Sequence, residues 1–127
     1  MSKQLLALVF TVAILLTGCA NKPTPQELAS ADYGTYPSDY EEIVKRYMDM
    51  RLKDPDSARY EFLNSPKTGW NSWGGRKYGY IVCALVNAKN SYGGYTGSQL
   101  SYFMIRNDRV IDYYDKSMAQ TFCKGAA

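Results

Sequence analysis

The densest apolar pattern in the chain lies between Tyr78 and Arg106. One run, Tyr78-Gly-Tyr-Ile-Val-Cys-Ala-Leu-Val-Asn-Ala-Lys-Asn90, is followed by the connector Ser91-Tyr-Gly-Gly-Tyr-Thr-Gly97 and a second run, Leu100-Ser-Tyr-Phe-Met-Ile-Arg106. β-Branched and aromatic residues dominate both runs. Each is too short and too closely flanked by glycine for a helix, so the pattern predicts strands near 78–89 and 99–106. Asn107-Asp108 fits a two-residue hairpin turn, since both residue types tolerate positive φ. That turn predicts a strand near 109–115, with Arg106 opposite Arg109, Ile105 opposite Val110, Met104 opposite Ile111, Phe103 opposite Asp112 and Tyr102 opposite Tyr113. Ala58-Arg-Tyr-Glu-Phe62 alternates with period two and predicts a further strand near 58–63.

A helical period precedes these strands. Tyr40, Ile43, Val44, Tyr47 and Met50 fall on one face of a helix, with Glu41, Glu42, Lys45, Arg46 and Asp49 mostly elsewhere. Ser38-Asp-Tyr-Glu41 fits a capping box at its start. Asp54-Pro55-Asp56-Ser57 reads as a turn or a new helical turn capped by Asp54. Its two carboxylates lack the further oxygen ligands of a calcium loop, so no metal site is expected. Residues 64–77, with Pro66, Gly69, Trp70, Trp73, Gly74 and Gly75, read as loop, and Ser117–Lys124 as a terminal helical turn. The expected fold is α+β: one amphipathic helix packed on a three- to four-stranded antiparallel sheet, in a single domain over 38–127.

The N-terminus sets the compartment. After Met1-Ser2-Lys3-Gln4 comes an apolar segment from Leu5 to Leu16, about half of the roughly 20 residues a bilayer span needs. It reads as the apolar region of a secretory signal peptide covering 1–18. Leu16-Thr17-Gly18-Cys19 resembles the lipobox of bacterial lipoproteins. The resemblance implies acylation of Cys19 and a lipid anchor in the membrane, and Ala20 after the cysteine implies the outer membrane, periplasmic face. Several acyl chains make such attachment effectively permanent, because each buried CH₂ contributes about 0.8 kcal/mol. Residues 19–37 read as a flexible tether in which Pro23 and Pro25 break any early helix; its roughly eighteen residues would span about 24 Å. Tyr33 and Tyr36 are able to dock on the domain and order its end.

Removing residues 1–18 takes Lys3 from the fifteen basic residues and nothing from the twelve acidic ones, leaving about +2 with the signs interspersed. Nucleic-acid binding needs a concentrated positive face, so no nucleic-acid partner is expected. There is no histidine, which removes imidazole-based catalysis and most zinc sites. No two carboxylates are marked as convergent, so the chain reads as a non-enzyme without a cofactor. With Cys19 acylated, Cys83 and Cys123 remain, and in an oxidising compartment the even remainder suggests one disulfide.

The candidate binding residues are aromatic. Trp70 and Trp73 lie among small polar residues, and Asn90, Tyr92 and Tyr95 belong to a Tyr/Ser/Gly/Asn segment of the composition used by recognition loops. The alternative is structural: the tryptophans fold back on the core, and Tyr92 and Tyr95 pack on the sheet edge. Gly93-Gly94-Tyr95-Thr96-Gly97 is not a phosphate loop, because a strand and not a helix follows it. Leu52-Lys-Asp-Pro-Asp-Ser-Ala58, together with Val86-Asn-Ala-Lys-Asn-Ser-Tyr-Gly-Gly-Tyr-Thr-Gly97, resembles a family of small bacterial lipoproteins without an assigned activity. The resemblance implies a shared architecture with Asn87–Gly97 as its signature, and no catalytic residue. The expected function is binding of another envelope component, protein or glycan. The alternative is an inhibitor or exclusion factor acting on a lysozyme-like enzyme or on phage entry.

Overall fold

The computed structural model describes residues 22–124. The signal segment, Cys19 and the first tether residues lie outside them. The chain divides into two compact units at Ala31/Asp32.

In the first unit, helix α1 (Pro25–Ser30) replaces the expected unbroken coil. Thr24 Oγ1 accepts from the Glu27 amide, and Glu27 Oε2 accepts from the Thr24 amide at 2.6 Å. Pro25 occupies the first helical position, where its missing N–H costs nothing. The proline read as a breaker is a starter.

The second unit is an α+β fold on a five-stranded antiparallel sheet, one or two strands more than the pattern predicts. Its elements are α2 (Tyr40–Asp49), β1 (Asp54–Phe62), β2 (Lys67–Asn71), β3 (Lys77–Lys89), β4 (Gln99–Arg106), β5 (Arg109–Asp115) and α3 (Lys116–Phe122). The order is β1-β3-β4-β5, with β2 beside β1 along the same edge of β3. β1 and β2 together therefore make one interrupted edge strand. At the break, the Asn64 side chain stands in for backbone: Oδ1 accepts from the Cys83 amide at 2.9 Å and Nδ2 donates to the Ile81 carbonyl at 3.0 Å. Ser57 does the same at the bulged start of β1, accepting from the Lys89 amide at 2.8 Å. Asp54–Ser57 is therefore strand, not a helical cap. Pro55 is tolerated because the strand is at an edge. We expect Asn64→Ala to lower stability by roughly 2 kcal/mol, since it orphans two ladder groups of the central strand. Urea unfolding with an unchanged m value would show it.

The two faces of the sheet carry different cores. Even positions of β3 (Val82, Ala84, Val86) and odd positions of β4 (Phe103, Ile105) pack against Ile43, Val44 and Met48 of α2. Tyr40 and Tyr47 flank this cluster, but Met50, placed on the same face by the spacing, is the C-cap and 81% exposed. The Ser38–Glu41 capping box does not form. Ser38 and Asp39 lie inside a turn closed by the Tyr40 amide on the Pro37 carbonyl, and Asp39 is not extended as a capping residue must be. Ahead of α2, Tyr33 and Tyr36 pack edge-on against Tyr78 and Tyr80. The end of the expected tether is thus seated on the sheet. On the opposite face, Cys83, Tyr102 and Met104 pack against Ala119 and Phe122 of α3. The disulfide Cys83–Cys123 closes this second core.

Asn107 and Asp108 both have positive φ, 49° and 59°, as a tight hairpin turn requires. The register beyond the turn differs from the simple pairing. A bulge between Met104 and Ile105 shifts it by one, so Met104 faces Asp112, Phe103 faces Tyr113 and Tyr102 faces Tyr114. A one-residue shift exchanges faces. Without it, the Asp112 carboxylate would sit on Phe103 beneath α2. With it, Tyr113 enters that core, Asp112 turns to the α3 face, and Ile111 is left outside.

Candidate functional site

The five residues singled out as binders fall into two groups at opposite ends of β3. That strand has thirteen residues, so the groups are roughly 40 Å apart. At its N-terminal end is the β2–β3 hairpin. Trp70 is in β2, half-buried opposite Tyr78, so it is a strand residue and not a loop residue. Trp73 is in the turn and 64% exposed.

This hairpin is clipped to the α3 face by a polar cluster that the sequence did not announce. Asn71, 2% exposed, donates from Nδ2 to Asp112 Oδ2 at 2.7 Å and to the Tyr102 hydroxyl at 3.2 Å. Lys77 Nζ reaches the same carboxylate oxygen at 3.1 Å and the Trp73 carbonyl at 2.8 Å. The Tyr114 hydroxyl donates to Asp112 Oδ2 at 3.1 Å. In a flat sheet β2 and β5 would be three strand spacings apart, about 14 Å. Their direct contact means that the sheet curls over the α3 face. Gly79, paired with Gly69, permits the curl: a Cβ there would lie 2.8 Å from the Ile105 carbonyl oxygen. Burial, and then the Asp112 carboxylate, pushes Tyr114 up to about 12. Burial likewise raises Tyr102 far above the ordinary phenol range. Both rings are therefore neutral hydrogen-bonding groups, and the cluster is suited to bracing rather than to proton transfer.

At the other end, residues 90–98 form a loop held by its own hydrogen bonds. Asn90 Oδ1 accepts from the amides of Tyr92 and Gly94, and Asn87 Oδ1 accepts from the Gly97 amide. The Thr96 amide donates to the Ala88 carbonyl, and Lys89 and Tyr95 form an isolated bridge. Asn90 is thus a scaffold residue for the loop. Tyr95 is anchored as well: its hydroxyl donates to the Ser57 carbonyl at 3.0 Å, and its ring carries the Arg59 guanidinium at 4.3 Å and the Lys89 ammonium at 5.5 Å. Tyr92, by contrast, stands 98% exposed on this fixed frame.

Beside the loop is a cleft of about 390 Å³ between the end of α2 and strands β3 to β5. Leu52 and Lys53 line one side and Ala88, Lys89, Asn90 and Thr96 the other, so the two sequence motifs, 52–58 and 86–97, meet across it. Arg51, also in the lining, is held over the rings of Tyr47 and Tyr113 at 4.4 and 5.2 Å. Among the described residues, no carboxylate pairs with Arg51, Lys53 or Lys89. Arg51, Ser101 and Tyr113 carry no local sequence signal of a site; only the convergence of distant segments assembles them. Also among the described residues, no three His, Cys, Asp or Glu side chains are grouped to hold a metal ion. No family model matches the chain, and neither a curated protein nor a solved structure shows significant similarity to it.

Proposed function

We propose that the protein is a non-catalytic lipoprotein of the bacterial outer membrane, anchored through Cys19 at the periplasmic face, that captures another envelope component through its 90–98 loop. The observation that carries this reading is Tyr92: a fully exposed aromatic side chain on a loop fixed by Asn87, Asn90 and Tyr95. A rigid aromatic anchor loses little entropy on binding, which is why such residues dominate recognition loops. The resemblance of Leu16-Thr17-Gly18-Cys19 to a lipobox and the Cys83–Cys123 disulfide support that address.

Cross-linking and capture from native envelopes tests the reading. Tyr92→Ala is expected to weaken capture roughly tenfold or more, with the melting temperature changed by no more than about 3 °C. Trp73→Ala, at the far end of the sheet, is the control and leaves capture as it was. Tyr95→Ala is a poorer probe, because losing the Ser57 hydrogen bond and the Arg59 stack loosens the loop itself. If Tyr92→Ala captures as well as the parent chain, the loop is not the recognition surface.

A further inference from the structure

We infer that the cleft beside the loop binds a carboxylate-bearing sugar unit of a larger glycan, with Arg51 gripping the carboxylate. The inference rests on the reading that this end of the sheet is the recognition surface, and it names the chemistry of the ligand. Arg51 and Lys53 line the cleft, Lys89 stands at the rim shared with the loop, and Asp115 is the one carboxylate in the lining. The lining is therefore cationic, and among the described residues its cations have no ion-pair partner. A guanidinium laid over two tyrosine rings is already oriented, and its planar fork matches a carboxylate.

The remaining lining selects the body of the ligand. Thr96, Gln99 and Asn90 offer hydroxyl and amide groups, and Ser101, 2% exposed, brings a hydroxyl to the floor. Leu52, Val86 and Tyr113 supply apolar and aromatic wall. Polar groups that both donate and accept, set beside apolar surface, suit a ring bearing several hydroxyls better than an aliphatic or peptide chain. The volume lies at the lower end of the roughly 300–1,000 Å³ typical of small-ligand sites, the scale of one such unit.

The test is an NMR titration of the full chain with four probes: glucuronic acid, glucose, acetate and the dipeptide acetyl-Ala-Ala with a free C-terminus. Glucuronic acid is expected to shift the amides around Arg51, Thr96 and Ser101 and to bind roughly tenfold or more tighter than glucose or acetate. Arg51→Gln is expected to abolish the preference over glucose. Arg51→Lys keeps the charge but loses the fork, and only part of the preference returns. Should Arg51→Gln disturb the fold, Lys53→Gln at an unstacked position is expected to weaken glucuronic acid more than glucose. Equal binding of acetate and glucuronic acid, or tighter binding of the dipeptide, overturns the inference. So does an unchanged preference in both charge variants. Loss of envelope capture in Tyr92→Ala with no glucuronic acid binding would overturn this inference alone. The reverse result would overturn the capture reading and leave the cleft.

Discussion

Replacing Cys83 and Cys123 together by alanine is expected to lower the unfolding free energy by about 4 kcal/mol. The bond closes a separation of 40 residues, and on the loop-entropy account a closure of that length removes roughly this much freedom from the unfolded chain. The native state has little to put in its place. α3 has only seven residues, too few to be stable alone, and its buried contribution to the second core is Ala119, with Phe122 partly buried. Tyr102, Tyr114 and Phe122 stack at centroid distances of 5.1–5.7 Å, and they hold this arrangement only while the C-terminal segment is docked. Small domains have about 5–15 kcal/mol in total, so the loss is a large share. Denaturant unfolding of the double variant, and of the parent with and without reductant, would show the drop in midpoint. If both midpoints stay within about 0.5 kcal/mol of the oxidised parent, α3 docks through its own contacts and the bond is incidental. The stabilisation is available only where the bond forms.

The pairing of these cysteines was legible once the lipobox resemblance set Cys19 aside, and β3, β4, the Asn107-Asp108 turn and the extent of β5 were legible from period and turn chemistry. β3 and β4 bury apolar positions on both faces, and β5 follows from the turn. The edge was only partly legible. Residues 58–62 of β1 read as strand from their period, but its start, Asp54-Pro55-Asp56-Ser57, reads as a turn, and β2, with Gly69 and after Pro66, reads as loop. They pair all the same, since Ser57 and Asn64 complete the ladder with side chains. No local rule reveals such a substitution, because the groups it serves lie on β3. The candidate site was half legible for a similar reason. Composition picked out Tyr92, Tyr95, Trp70 and Trp73 as one class, but the length of β3 separates them, and the strand and loop contacts give each a different job. Nothing in the sequence singles out Arg51, and it joins the site only because the end of α2 brings it to the cleft that the 86–97 segment also lines.

Asp112→Ala is expected to cost about 3 kcal/mol, at the lower end of the range for removing one partner of a buried ion pair, because Lys77 keeps some solvent. Three donors converge on Asp112 Oδ2, from Asn71, Lys77 and Tyr114, and the carboxylate is only 11% exposed. Removing it leaves the Lys77 ammonium with the Trp73 carbonyl and solvent but no counter-charge, and takes the Asn71 amide's shorter bond. Asn71 already has its Oδ1 buried without a partner among the described residues, so it has no reserve. The bulge in β5 is the second casualty. It places Asp112 on this face and Tyr113 beneath α2, and without the carboxylate the unbulged register, with residue 112 against Phe103, loses its main penalty. Two measurements separate these effects. Denaturant unfolding reads the stability loss, with Lys77→Met expected to cost less because the Asp112 carboxylate it leaves behind keeps the Asn71 and Tyr114 donors. Alkaline titration followed by NMR of the assigned tyrosine rings reads Tyr114, whose folded value of about 12 against about 10 unfolded makes it stabilising below pH 10, a contribution lost as the pH rises from 10 through 12. In Asp112→Ala, Tyr114 is expected to titrate earlier, though still above 10 because burial is the larger cause. A variant as stable as the parent, with Tyr114 unmoved, would mean that the curl of the sheet is set by the Gly69–Gly79 pair alone and that the cluster merely fills the space the curl leaves.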